Sequence, residues 1–118
     1  MQLETLLDTL KHAPNSVEFD NVMTVIAENF TYTPSRFSNG LGDNKVVNEA
    51  GTNEGSCKIF AFAKQQGLSE AHTLACFGHY YRDDVLAHPD NTDHANIRQF
   101  MQTGWAGIAF DQVALQAK

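Results

Sequence analysis

The chain has 118 residues, 42% of them hydrophobic, and a formal charge of −6 from 8 basic and 14 acidic residues. That size predicts one domain with one core, burying about two-thirds of its unfolded surface without help from disulfides or metal. No two basic residues are adjacent, which excludes the clustered positive footprint of a nucleic-acid or anionic-membrane binder.

Leu3, Leu6, Leu7 and Leu10 form one apolar stripe, so Gln2 to Lys11 reads as a helix that Ala13-Pro14 ends. A second helix is predicted from Asn15 or Ser16, with Asn15 and Glu18 as a capping box and a stripe of Phe19, Val22, Met23, Ile26, Ala27 and Phe30. From Thr31 to Gly55 the helical period stops. Pro34 and four glycines punctuate this stretch, which reads as a long ordered loop with one small hairpin around Leu41 to Lys45. Ser56 is the expected N-cap of a third helix, apolar on all sides and therefore buried, with Gly67 as its terminator. Ser69 caps a fourth, expected to run to about Leu86 before His88-Pro89. Helices three and four read as a central helical hairpin. Asn91-Thr92 should cap a fifth helix, closed by Gly104, and the tail from Trp105 to Lys118 reads equally well as a short helix or an extended strip.

Both cysteines, Cys57 and Cys76, sit in apolar runs without metal-ligand spacing, which predicts two reduced, buried thiols. On a continuous fourth helix His72, Cys76, His79 and Asp83 would fall within about 60° of one another. They would also span roughly 16 Å, too far for a single ion. Cys57 at a helix start is a second candidate, since free N–H groups lower a thiol pKa and His79 or His94 could serve as base. His88, Asp90, Asp93 and His94 form a third cluster in a loop, where turn formation and capping already account for the Asp and Asn residues. Lys58 and Arg82 are charges inside apolar helices, to be explained by snorkelling or by pairing with an acid such as Glu54 or Asp84. No Walker loop, dinucleotide fingerprint, HExxH or nucleophile elbow occurs. No apolar run approaches the roughly 18 residues of a membrane span, and MQLETLLDTLK lacks the basic start and apolar core of a secretory signal.

Several strings are similar to one family. NEGSCKIFAFA, the Phe77–Leu86 stretch with YYRDDVL, DHANIRQFM followed by GWAGIAF, and PSRFSNG and NEAGTNEG in the long loop resemble the HopJ family, small proteins named as bacterial type III effectors. The likeness runs from about Phe19 to Phe110. It implies a bacterial protein, cytoplasmic or delivered into a host cell, and transfers no catalytic residue.

The expectation is a mainly α, compact domain of about five helices with at most one small β pairing. The first functional reading is a non-catalytic protein-binding module, with Arg36, Asn39 and Asn48 as exposed loop contacts beside Lys58 and Arg82. Its partner is another protein, and no cofactor or bound metal is expected. The second reading is a small Cys- or metal-dependent enzyme. A pocket with convergent polar groups would favour the second.

Overall fold

A computed structural model describes residues 2–118. Five α-helices carry the architecture: α1 (Leu3–His12), α2 (Phe19–Asn29), α3 (Glu54–Gln66), α4 (Glu70–Ala75) and α5 (Ala95–Thr103). Five three-residue strands join them: β1 (Phe30–Tyr32), β2 (Phe37–Asn39), β3 (Val46–Asn48), β4 (Ile108–Phe110) and β5 (Leu115–Ala117). The fold is mainly α, but the single expected β pairing is corrected to two small sheets, β1–β5 and β3–β2–β4, all antiparallel. The β2–β3 hairpin encloses the Leu41–Lys45 turn, as the sequence suggests. The tail then adds a strand to each sheet, with Phe37 opposite Phe110 and Tyr32 opposite Leu115.

Helix α3 is the centre. Cys57, Ile59, Phe60, Ala61, Phe62 and Ala63 are all buried. The Phe60 ring lies 5.0 Å from Phe100, 5.5 Å from Phe77 and 6.0 Å from Phe37, so this one residue ties α5, the α4 exit and β2 together. Full burial of such a side chain contributes about 3 kcal/mol. Gly67 ends α3 in the left-handed conformation that glycine adopts without a Cβ clash.

Three helix boundaries depart from the sequence reading. The Asn15/Glu18 capping box does not form, because Pro14–Ser16 makes its own 3₁₀ turn and α2 begins at Phe19. Helix α3 begins two residues before Ser56, with Asn53 as its cap. Helix α5 begins at Ala95 rather than after Asn91-Thr92, with His94 as its cap.

The predicted long fourth helix is also broken. Ser69 does cap it, accepting from His72 N–H at 3.1 Å, but the helix stops at Ala75. Gly78 turns left-handed (φ +61°), and a Cβ there would lie 2.6 Å from the Phe19 backbone nitrogen. The chain breaks so that the start of α2 can approach. It resumes as a wider turn over Tyr80–Val85, closed by Leu86 N–H on Tyr81 C=O at 3.0 Å. The central element is accordingly one buried helix, not a hairpin of two long ones. Among the described residues no helix is long and apolar enough to cross a membrane.

Candidate functional site

The starts of α3 and α5 meet. Asn53 and His94 are the two non-glycine residues with positive φ among the described residues, at 49° and 52°, and each caps one of these helices. Left-handed backbone costs a non-glycine residue about 1–2 kcal/mol and persists only where surroundings enforce it. At Asn53 a chain of amides supplies that enforcement, and the same chain reaches Asn96, two residues beyond His94. Asn48 Oδ1 accepts from Asn53 Nδ2 at 2.7 Å and from Asn96 Nδ2 at 2.8 Å. Asn96 Oδ1 accepts in turn from Asn48 Nδ2 and Asn39 Nδ2, both at 3.1 Å. Four asparagines thus pin two helix starts to the β2–β3 hairpin.

Above this network lies an open cleft of about 470 Å³. Asn53, Ser56, His94 and Asn96 bring polar groups to it, and Phe19, Phe77, Tyr80 and Ile97 bring apolar surface. The first backbone bond of α3 is Cys57 N–H on Asn53 C=O, and that of α5 is Arg98 N–H on His94 C=O. The N–H groups of residues 54–56 and 95–97 therefore have no partner within their helices. Gly55 belongs to this wall because Phe19 crosses it closely; a Cβ there would sit 2.8 Å from the ring.

His94 is held in place. Its Nε2 lies 3.0 Å from Asp84 Oδ2 and 3.8 Å from Asp93 Oδ2, and its ring packs 5.3 Å from Tyr80. An ionised carboxylate only accepts, so the His94–Asp84 hydrogen bond requires a proton on Nε2. Tyr80 also stacks 4.2 Å from His79, which faces Glu18 at 3.6 Å. Asp93 is otherwise occupied: the hydrogen bond from Arg98, at 2.6 Å, holds its carboxyl below the usual range.

The residues selected from sequence do not gather at one site. Asn39 and Asn48, read as exposed, are 0% and 1% exposed and form the support beneath the cleft. Arg36 is exposed, pairing with Glu49 at 3.3 Å and Asp111 at 3.5 Å. Lys58 places its ammonium 4.8 Å from the Tyr32 ring centre instead of pairing with an acid. Arg82 binds Val17 C=O at 2.9 Å and Glu18 at 2.7 Å, not Glu54 or Asp84. The break at Gly78 splits His72 and Cys76 from His79 and Asp83, so the proposed stripe does not exist. No three His, Cys, Asp or Glu side chains gather as a cation site among the described residues.

Cys57 does not line the cleft. Its thiol is buried beside Ser35 C=O at 3.8 Å, and burial raises its pKa, the reverse of the lowering expected at a helix start. Burial likewise pushes the Cys76 thiol up to about 12. The residue facing the cleft is Ser56, one position earlier. The sequence signal for this site was the pair of amides, Asn53 and Asn96, standing beside otherwise apolar helical runs.

A match to the family model described as "HopJ type III effector protein" covers residues 3–115. The crystal structure of a protein of unknown function, VPA0580, superposes with a TM-score of 0.94 at 51% identity, over 100% of this chain and 95% of that one. No curated protein matches. With the family model spanning all but the ends of the sequence, the chain belongs to the HopJ family.

Proposed function

We propose that this HopJ-family protein acts by recognising a segment of a partner protein, and that the cleft between the starts of α3 and α5 receives it. One observation carries the reading: two left-handed helix caps and a network of four asparagines, three of them buried, lie beside a cleft at helix starts whose first N–H groups have no partner within their helices. Strain of this kind concentrates at functional sites. A mixed wall of amides, hydroxyl, imidazole and aromatic rings suits a peptide, whose backbone needs both donors and acceptors and whose side chains need apolar pockets. The scattered basic residues support a protein partner over nucleic acid. The family name supports a role between bacterium and host, with the partner on either side.

Ala95 lines the cleft and is exposed, so Ala95→Trp should fill the cleft without touching the core. Partners captured by the parent protein from bacterial or host lysate are expected to be lost by Ala95→Trp and kept by Arg36→Ala, at closely similar melting temperatures. Full capture by Ala95→Trp would remove the cleft from consideration, and loss in Arg36→Ala would return the site to the loop surface.

A further inference from the structure

We propose that the outer edge of β4 docks an extended, acidic segment of another protein, which joins the β3–β2–β4 sheet as an antiparallel fourth strand. The site shares no lining residue with the cleft and does not rest on that reading.

The pairing of β4 with β2 shows which backbone groups are left over. Asp111 N–H donates to Arg36 C=O, and Gly40 N–H donates to Gly107 C=O. Bonded and non-bonded pairs alternate along an antiparallel ladder. Ala109 therefore turns its backbone groups to β2, while Ile108 and Phe110 turn theirs away. Ile108 N–H is taken by Trp105 C=O. Ile108 C=O and both backbone groups of Phe110 have no hydrogen-bond partner among the described residues. These are unmade ladder bonds, and another extended backbone is what completes them.

The edge is also open. Two furrows that share Lys64 run between it and α3. One, of about 310 Å³, lies beside Leu68, Trp105 and Ile108, and the other, of about 390 Å³, lies beside Phe110, Val113 and Ala114. Helix α3 closes the edge only further on, where Gln65 binds Leu115 C=O. Val113, at that end, is 62% exposed.

The chemistry of the segment follows from the edge. Ile108 and Phe110 are half-buried and Ala109 is exposed. An added strand must alternate in the same way, with apolar side chains over α3 and polar ones in water. Lys64 is exposed and makes no ion pair among the described residues, which favours a carboxylate on the segment. Antiparallel addition matches every pairing in the two sheets. A second copy of this chain fits worse. Two β4 edges paired about Phe110 would need Gln112 N–H, which is already on Ser35 Oγ at 3.3 Å. Paired about Ala109 they would need Ile108 N–H, which is already on Trp105.

The probe is a short synthetic peptide of alternating valine and threonine with glutamate at its central threonine position, titrated into the isotope-labelled full chain to about 1 mM. NMR is expected to show amide shifts at Phe110, Val113 and Lys64. Exchange of the Phe110 amide should slow about tenfold once the peptide is about ten times above its Kd, while the Ala109 amide, already bonded to β2, stays as it was. In an antiparallel strand the residues opposite Phe110 are the valines, and their N–H groups face β4. N-methylation of the valine amides should abolish binding, and N-methylation of the threonine amides should leave it intact. Lys64→Glu should weaken binding about fivefold, the upper range for an exposed ion pair, and a peptide with central lysine should recover it. The same footprint is expected in Ala95→Trp. No shifts at the highest concentration, shifts confined to the cleft, or equal binding of the two methylated peptides would overturn strand addition at this edge. Unchanged affinity in Lys64→Glu would overturn the choice of an acidic segment. A dimer in sedimentation that protects the Phe110 amide without peptide would give the edge to a second copy and overturn the proposal.

Discussion

Asn48 makes the residue-scale point. As an amide in an Asn- and Gly-rich loop it looks like a surface contact whose loss stability should ignore. In the fold its side chain is the junction of the network, and removing it leaves the Asn53 and Asn96 amides without their shared acceptor. Stranding the buried Asn96 amide costs about 1–3 kcal/mol, whereas the exposed Asn53 amide turns to water. Asn48→Ala is therefore expected to lose about 3 kcal/mol, on the order of 10 °C in melting temperature, while the exposed Arg36→Ala changes stability by under about 0.5 kcal/mol. Thermal melts of the two variants decide this. Cys76 gives a second residue-scale expectation. Its thiol pKa is raised in the fold, from an ordinary 9.0 to about 12, so the folded state holds the proton more tightly than the unfolded chain. That contribution is intact below pH 9 and is lost as pH rises toward 12. The parent's melting temperature should fall more steeply over this window than that of Cys76→Ala, and equal slopes would contradict the burial argument.

At the scale of elements, the interruption after α4 is a packing decision. Nothing in the stretch EAHTLACFGHYYRDDVL forbids a continuous helix apart from Gly78, and a single glycine costs a helix only about 1 kcal/mol. What decides is the backbone of Glu18 and Phe19 lying against that glycine. Gly78→Ala should accordingly destabilise by about 3 kcal/mol, combining left-handed strain with overpacking against backbone. Gly67→Ala, equally left-handed but with open space around it, should cost only about 1 kcal/mol. Urea denaturation of the pair separates strain from contact. The capping errors have a related cause. Ser56 and Asn91-Thr92 are good caps by residue type, but Asn53 takes its position on the Asn48 amide and His94 takes its position against Asp84 and Tyr80.

For the whole molecule, the C-terminal strip closes the fold. Residues 113–118 supply buried Ala114 and Leu115 and pair β5 with β1. Gln65 Nε2 binds Leu115 C=O at 2.6 Å, and Lys118 N–H returns to Asn29 C=O at 3.1 Å. Removing those six residues exposes one edge of α3 and cuts the only pairing of β1 among the described residues. The truncated protein is expected to melt more than about 10 °C lower, from about 3–4 kcal/mol of lost burial and hydrogen bonding. Calorimetry showing an unchanged transition would mean the tail merely rests on the surface.

The sequence by itself determined the elements whose signal is local and periodic. The α1 stripe, the all-round apolar α3, the Ser69 cap, the Gly67 and Gly104 terminators and the burial of both thiols each follow from residues within a turn or two of one another. The family was legible for the same reason, in unbroken strings. Tertiary structure alone decided the strand pairings, the break at Gly78 and the cleft. A three-residue strand has too few side chains to declare its period, and its partner lies dozens of residues away. The cleft belongs to the same class: Phe19, Asn53, Ser56, Tyr80, His94 and Asn96 come from four separate stretches of chain. They come together only once Asn48 has drawn two helix starts to one oxygen.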